Sequence, residues 1–218
     1  MLVLSLSPLR VAMLRIAFTI LLLSLSSISY AETQAVDIYT QDQLLELIRN
    51  KQYLKKVKAD DCQLVQDIEA RADVLNQPLY QFLWGEMLNT GTCVKANPKR
   101  GMSLLRRSAE QGSAEAMVRI AEYYYQGQYV IKDKDRAVQY AYPAAANGDL
   151  PAQMMLVKLF SEGYGSPVDY EMAYHWLYNN IFSDEKTKQQ ALSLLQVLET
   201  QMPVSAVTRA KQENLRTR

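Results

Sequence analysis

Glycine residues recur at a fixed interval of 36 residues, and this periodicity restricts the fold to a repeat architecture. Gly91, Gly127 and Gly163 form the main series, and Gly112 and Gly148 keep the same interval. Small residues at two further positions also recur with this interval: Gly101, Ala137 and Ala173, and Ala116 with Ala152. Chance does not readily produce several series in phase. The chain is therefore expected to contain a tandem array of similar structural units.

Apolar residues between these glycines are spaced as in amphipathic helices. Ala116, Ile120 and Tyr124 are four residues apart, so they lie on one face of a helix that ends before Gly127. A second stripe of small and aromatic side chains precedes Gly148: Ala137, Tyr140, Ala141 and Ala144. Each unit is thus predicted to be a helix, a glycine-containing turn, a second helix and another turn.

Two segments at equivalent positions of successive units, SAEQGSAEA (108–116) and AAANGDLPA (144–152), resemble the signature of Sel1-like repeats. These short-period relatives of tetratricopeptide repeats imply a right-handed α-solenoid, in which small residues allow the paired helices to approach closely. The resemblance covers residues 78–184. The third unit departs from the signature at 179–183, where NNIFS replaces the small-residue turn. We therefore expect an all-α, right-handed α-solenoid of about three helix-turn-helix repeats with helical N- and C-terminal caps.

The N-terminal segment has the composition of a secretory signal. Residues 1–31 contain no acidic residue, carry only two arginines, and include an apolar run over 16–25. A membrane anchor is the alternative, but spanning a bilayer takes roughly twenty apolar residues, about twice the length of this run. We expect cleavage after Ala31, and translation from Met13 would give a more compact signal.

The predicted organisation has four regions. They are a cleaved signal peptide at 1–31, an N-terminal helical region at 32–76, a repeat array at 77–183, and C-terminal capping helices and tail at 184–218. Without the two arginines of the signal, 22 of the 24 basic residues remain against 23 acidic ones, so the exported protein carries about one net negative charge. This balance excludes duplex nucleic acid as an obvious partner. No later segment is long and apolar enough to cross a membrane, so no direct membrane span is expected.

Cys62 and Cys93 are the only cysteines, and export would bring both to an oxidising compartment. One disulfide is the favoured interpretation, and two free buried thiols are the alternative. A metal site is disfavoured because the single histidine, His175, is distant in sequence and no CxxC or HxxxH pattern occurs. The disulfide would fasten a helix that begins near Asp60 to the first repeat.

Segments that flank and interrupt the repeats resemble the MotX family. They are VDIYT (36–40), VKADDCQLVQDI (57–68), GTCV (91–94), YGSPVDYE (164–171), YHWLYN (174–179), MP (202–203) and RAK (209–211). The resemblance spans residues 36–211 and includes both cysteines. It implies a periplasmic component of sodium-driven polar flagellar motors, which joins a MotY-type protein in the T ring of the flagellar basal body near the outer membrane. The implied role is to recruit or position stator units through the sodium-type stator B subunit (PomB-like), which flagellar rotation requires.

A generic periplasmic adaptor with Sel1-like repeats, serving another envelope complex, is the alternative. Either role would use the first helix of each unit, which would face the concave side of the solenoid. Candidate partner-binding residues outside the packing stripe are Glu86, Arg119, Glu122, Tyr123, Met155 and Lys158. A solvated helix face is the alternative interpretation for each of them. Tyr124 falls on the buried stripe, so only its neighbours Tyr123 and Tyr125 are candidate contacts.

Catalysis is disfavoured because no nucleophile and base accompany His175, for which a surface or partly packed position is expected. The acidic pairs Asp60-Asp61 and Asp184-Glu185 are interpreted as residues at helix starts, where the helix macrodipole favours acidic side chains. An ion channel would require a membrane span. We therefore expect a non-enzymatic protein with no cofactor and no bound metal.

Overall fold

The computed structural model describes residues 39–212, and within this range every regular element is a helix. The predicted signal peptide at 1–31 lies outside the described residues, as does the tail at 213–218. The N-terminal helices are α1 (Gln41–Arg49), α2 (Tyr53–Ala59) and α3 (Val65–Asp73). Three helix pairs follow: α4 (Pro78–Thr90) with α5 (Pro98–Glu110), α6 (Ala114–Gln126) with α7 (Lys134–Ala146), and α8 (Leu150–Ser161) with α9 (Tyr170–Tyr178). A short 3₁₀ turn (Pro167–Asp169) precedes α9, and the remaining helices are α10 (Glu185–Glu199) and α11 (Val204–Ala210).

Local sequence signals explain where the repeat helices begin and end. The side chains of Ser113, Asp133 and Asp149 each accept a hydrogen bond from the backbone N–H three residues later, at the starts of α6, α7 and α8. Such caps satisfy a first-turn N–H that has no partner within the helix. Gly91 and Gly127 follow α4 and α6 in the left-handed conformation, with φ of 72° and 78°. Because a residue with a Cβ adopts this conformation only at a cost, the glycine spacing marks the ends of these helices.

The helices pack in the order of the predicted α-solenoid. α4 packs on α5, α6 on α7 and α8 on α9, and each second helix also contacts the first helix of the next pair. The first pair crosses closely at Gly85 and Gly101. A Cβ on Gly101 would lie 2.6 Å from the Gly85 carbonyl oxygen and 2.2 Å from Oδ1 of Asn89. Any side chain at position 101 would therefore force these two helices apart.

The apolar core follows the whole array. The predicted stripe of Ala116, Ile120 and Tyr124 is buried. Large side chains that are fully buried occur in the N-terminal helices and in each of the three repeats. They include Leu44, Ile68, Phe82, Leu105, Ile120, Phe160 and Tyr174. The flanking helices therefore share one core with the repeats.

A disulfide joins Cys62 to Cys93, with the two Cα atoms 5.5 Å apart. It connects the segment before α3 to the turn between α4 and α5, and α3 packs directly on α4. The cysteines are 31 residues apart, and closing a loop of that length stabilises a fold by about 3.5 kcal/mol in the chain-entropy account. The disulfide therefore fixes the N-terminal helices to the first repeat.

The prediction that a helix begins near Asp60 is wrong, because Asp60 follows the end of α2 and α3 begins only at Val65. Its carboxylate accepts hydrogen bonds from Nζ of Lys56 at 2.5 Å and from the hydroxyl of Tyr39 at 2.5 Å. Asp61, the next residue, has a positive φ of 51° that ends the helical path. These specific contacts outweigh the general preference of acidic residues for helix starts.

α10 takes the place of a fourth repeat, packing along α8 and α9. Asp184 caps its start by accepting the Thr187 N–H at 2.8 Å, which confirms the interpretation of this acidic residue. α11 packs on α9, where Nδ1 of His175 lies 3.0 Å from the carbonyl oxygen of Ala210. His175 is half-buried, as expected. The C-terminal helices therefore cover the end of the third repeat.

Candidate partner-binding surface

A groove with a volume of about 290 Å³ runs across the first helices of the repeats. α6 and α8, with the N-cap residue of α8, supply most of its lining, and α4, α10, the end of α1 and the α1–α2 connection supply the rest. The lining residues, which we call the groove, are Ile48, Arg49, Lys51, Phe82, Glu115, Val118, Arg119, Glu122, Asp149, Pro151, Met154, Met155, Lys158 and Leu194. Half of these residues are apolar and half are charged, so the groove can form both apolar contacts and ion pairs.

The apolar half of the groove is only partly covered. Val118, Met154, Met155 and Leu194 are half-buried, so each keeps part of its surface in contact with water. Methionine side chains are flexible and polarisable, and they adapt to partners of different shape. The groove therefore offers an adaptable apolar surface to a polypeptide segment.

Ion pairs connect the N-terminal helices to the groove. Arg49 pairs with Glu115 at 3.4 Å, and Lys51 pairs with Glu122 at 3.6 Å. Glu122 also accepts a hydrogen bond from Nη1 of Arg119 at 2.7 Å. The side chains of Arg49 and Lys51 are 58% and 70% exposed, so these two pairs contribute little to stability. These pairs place charges along the edge of the groove. A charged partner side chain can replace either member of each pair there.

Beneath the groove, Glu86 is a buried carboxylate with an exposed fraction of 2%. It accepts hydrogen bonds from the hydroxyls of Tyr53 at 2.8 Å and Tyr123 at 2.5 Å. Nε of Arg119 lies 3.3 Å from Oε2 of Glu86, and Nη2 of Arg119 donates to the Tyr53 hydroxyl at 2.7 Å. We call these four residues the Glu86 cluster. Burial, followed by the negative charge of Glu86, raises the pKa of both tyrosines, so their hydroxyls remain donors at neutral pH.

The Glu86 cluster joins three parts of the fold. Tyr53 lies on α2, Glu86 on α4, and Tyr123 with Arg119 on α6. Burying a charge is unfavourable unless it is paired and hydrogen-bonded, and here every neighbour of the carboxylate is a donor. The cluster therefore ties α2 to the first helices of the first two repeats and holds Arg119 in place at the groove.

The sequence model of the Sel1 repeat family matches residues 78–113, 114–149 and 150–178. Two solved structures are similar. A Sel1 repeat protein from Oxalobacter formigenes has a TM-score of 0.47 and 23% identity over 69% of this chain and 52% of its own. A protective antigen of uropathogenic Escherichia coli with an SLR fold has a TM-score of 0.47 and 20% identity over 81% of this chain and 41% of its own. This chain thus spans about half the length of these two structures or less.

The segments on both sides of the repeats identify the family. Over 207 residues, the chain is 41% identical to the sodium-type polar flagellar protein MotX of Vibrio parahaemolyticus, and the alignment covers 93% of this chain and 98% of the relative. The chain belongs to the MotX family. The part of the chain that lies outside the alignment is shorter than the segment before the repeats and shorter than the segment after them. The alignment therefore includes helices on both sides of the repeats as well as the repeats themselves.

Within this member of the MotX family, four of the six predicted partner-binding residues line the groove. They are Arg119, Glu122, Met155 and Lys158. The expectation that Glu86 and Tyr123 lie outside the packed interior is wrong, because their exposed fractions are 2% and 4%. α2 covers this part of the array, so residues that an isolated repeat would expose are buried. A partner-binding role for the other four residues stays a prediction.

Tyr125, the other candidate tyrosine, is half-buried and makes contacts within the chain. Its hydroxyl donates to Glu162 at 2.6 Å, and Nζ of Lys158 lies 4.1 Å from the centre of its ring. Lys134 lies over the same ring and pairs with Glu162 at 2.5 Å. The side chain of Lys158 is therefore held against the ring of Tyr125 where it lines the groove, and it does not extend freely from the helix surface.

Some groove residues were not predicted, although they recur at the interval of the repeats. Phe82, Val118 and Met154 are successive equivalents at the 36-residue interval, and all three line the groove. The predicted residues Arg119 and Met155 each lie one position after a member of this series. Arg49, Lys51 and Leu194 lie outside the array, and only the tertiary fold brings them to the groove.

The groove offers apolar surface, cationic donors and carboxylate acceptors, which suit non-covalent contact with a polypeptide. Among residues 39–212, no three His, Cys, Asp or Glu side chains are grouped so that they could hold a metal ion. Over the same range, none of the helices combines the length and the apolar character that crossing a bilayer requires.

Proposed function

We propose that this chain is a non-enzymatic structural component of the polar flagellar motor. The observation that carries the proposal is the nearly end-to-end match to a polar flagellar protein, with 41% identity over 93% of this chain and 98% of that relative. A match confined to the repeats would support only a generic adaptor. The match here extends to the flanking helices, and those helices complete the groove.

The finer proposal concerns place and partners. The protein is exported to the periplasm, where it joins a MotY-type protein in the T ring of the basal body near the outer membrane. There it positions sodium-type stator units through the periplasmic part of their B subunit (PomB-like). The secretory composition of residues 1–31 and the Cys62–Cys93 disulfide support export to an oxidising compartment.

The groove is the surface that we propose for one of these motor partners. Its half-buried apolar residues Val118 and Met154 occupy equivalent positions of successive repeats, as an elongated partner segment requires. The neighbouring Met155 and Lys158 add adaptable apolar contact and a positive charge. The other two predicted contacts, Arg119 and Glu122, contribute a guanidinium and a carboxylate at the same edge.

Deleting the gene in the native strain tests the motor role. Filaments are counted by electron microscopy and swimming is tracked in the deletion strain, with a plasmid-borne copy as the control. We expect cells that assemble polar filaments but do not swim, and we expect the plasmid to restore swimming. Normal swimming in the deletion strain would contradict the motor role and leave a generic periplasmic adaptor with Sel1-like repeats as the explanation.

A second measurement in the same strains tests the finer proposal. Polar foci of a fluorescently labelled stator B subunit are counted in living cells, and basal bodies are isolated to detect this protein beside the MotY-type protein. We expect the foci to disappear in the deletion strain and return with the plasmid. Paralysed cells with normal foci would keep the motor role but refute the positioning of stators.

A further inference from the structure

A separate cavity of about 340 Å³ lies between the second helices α5 and α7, and it shares no lining residue with the groove. Side chains from α5, the end of α6 and the first half of α7 form it: Arg106, Tyr124, Arg136, Gln139 and Tyr140. The cavity is thus built from two cationic residues, two phenols and one amide.

Two arginines and two tyrosines face each other in this cavity. Nη1 of Arg136 donates to the Tyr124 hydroxyl at 3.3 Å, and Arg106 lines the same cavity beside Tyr124 and Tyr140. The two tyrosine rings stack with centroids 5.7 Å apart and planes 15° apart. Burial of the Tyr124 ring favours its neutral form, but the hydrogen bonds from Arg136 and Arg106 lower the pKa of Tyr124 overall.

The two arginines have little acidic compensation. Arg106 forms no ion pair with any carboxylate in residues 39–212. Arg136 has only Asp133 at 3.8 Å, where both side chains are about half exposed to water. The local balance is therefore two positive charges against one negative charge. Two positive charges that line one cavity favour the approach of an anion.

We propose that this cavity is a docking site for a carboxylate side chain, presented by an acidic segment of a partner protein. A carboxylate carries a single negative charge, which matches the local excess of one positive charge better than a dianionic phosphate does. The planar fork of each guanidinium fits a carboxylate, and the half-buried ring of Tyr140 offers apolar surface to its methylene groups. Arginine and tyrosine are also the residue types that dominate binding energy at protein interfaces.

A side chain on a partner protein fits this site better than a free small carboxylate. Five residues that line an open cavity give a small molecule few contacts to offset its loss of freedom on binding. A partner segment adds contacts outside the cavity. The inference does not depend on the motor role, because it rests on the charges and geometry of α5, α6 and α7 alone.

An NMR titration of the purified protein without residues 1–31 tests the proposal, with hexaglutamate as the probe. We expect the Nε–H signals of Arg106 and Arg136 to shift together, and the double variant Arg106→Gln/Arg136→Gln to bind the peptide about tenfold more weakly. Hexaglutamine and inorganic phosphate are compared at equal concentration and should shift these signals less. Thermal melts followed by circular dichroism check that each variant is folded.

Two matched variants sharpen the result. Lys95→Gln/Lys99→Gln removes the same charge from exposed positions and should leave the affinity within about twofold. Arg106→Lys/Arg136→Lys keeps the charge without the guanidinium fork and should give an intermediate affinity. Equal weakening by the two glutamine pairs would reduce the effect to general charge attraction and overturn the proposal. Unchanged binding in Arg106→Gln/Arg136→Gln, or tighter binding of phosphate than of hexaglutamate, would also overturn it.

Discussion

Replacing Glu86 with alanine should destabilise the protein far more than replacing Glu122 with alanine, although both carboxylates contact the same arginine. Arg119 lies 3.3 Å from Glu86 and 2.7 Å from Glu122. The difference is burial, since the Glu86 side chain is 3% exposed and the Glu122 side chain is 26% exposed. The two variants therefore form a matched pair that separates a buried carboxylate from a partly solvated one.

The magnitude follows from what each change leaves behind. Glu86→Ala leaves the buried hydroxyls of Tyr53 and Tyr123 without their acceptor, and an unsatisfied buried donor costs about 1–3 kcal/mol. Arg119 keeps Glu122 as a partner, so the loss should fall at the lower end of the roughly 3–5 kcal/mol for breaking a buried ion pair. We expect Glu86→Ala to lower the free energy of unfolding by about 3 kcal/mol. Glu122→Ala should lower it by less than about 1 kcal/mol.

Urea unfolding at pH 7, followed by circular dichroism, measures both losses on the purified protein without residues 1–31. Hydrogen exchange adds a local measurement. Because Tyr53 anchors α2 to Glu86, amides of α2 should exchange faster in Glu86→Ala, while those of α8 should not change. Glu86→Gln keeps the volume and one acceptor, so its loss should lie between those of the two alanine variants.

Equal losses in Glu86→Ala and Glu122→Ala would refute the stabilising role of the buried Glu86 carboxylate. Unchanged exchange in α2 of a destabilised Glu86→Ala variant would refute its connection to α2, because the cluster would then not hold the N-terminal helices. Either result would mean that apolar packing alone holds α2 on the repeats.

Three further predictions concern single contacts. Cys62→Ser should lower the free energy of unfolding by about 3.5 kcal/mol in urea, and reductant should shift the unmodified protein equally; no shift in either would contradict the stabilising role of the disulfide. Gly101→Ala should cost about 1–3 kcal/mol in the same assay because its Cβ would meet the Gly85 carbonyl, whereas Ser103→Ala on the exposed side of α5 should be neutral. Hydrogen bonds from Lys56 and then Tyr39 lower the pKa of Asp60, so its stabilising contribution is present above the unfolded pKa of about 3.9 and is lost as the pH falls through the lower folded value. The stability gap between the unmodified protein and Asp60→Asn should therefore shrink on acidification, and an equal gap at pH 7 and pH 3 would contradict this.

The sequence predicted the repeat array because its signals are local and recur. A glycine every 36 residues, with apolar positions four apart between them, requires no knowledge of distant contacts. Gly91 and Gly127 follow directly on helices α4 and α6, in the turns that this spacing indicated. The burial of Ala116, Ile120 and Tyr124 follows in the same way from helical periodicity.

The groove was harder to predict because distant parts of the chain complete it. Tyr53 reaches Glu86 across 33 residues, and Arg49 reaches Glu115 across 66 residues. No local pattern reports such pairs, so Glu86 resembled an exposed helix residue. For Asp60, a local rule gave the wrong prediction. Acidic residues are common at helix starts, but Asp60 instead contacts Tyr39, 21 residues away.

The most direct test of the account places a charge in the groove of the protein in its native strain. The deletion strain is complemented with Met155→Glu, or with Ile131→Glu as the control, because Ile131 is 89% exposed in a turn outside the groove. We predict that Met155→Glu protein accumulates normally and that cells carry filaments but do not swim, while Ile131→Glu restores swimming. Normal swimming with Met155→Glu would contradict the assignment of the groove as the surface that binds a motor partner.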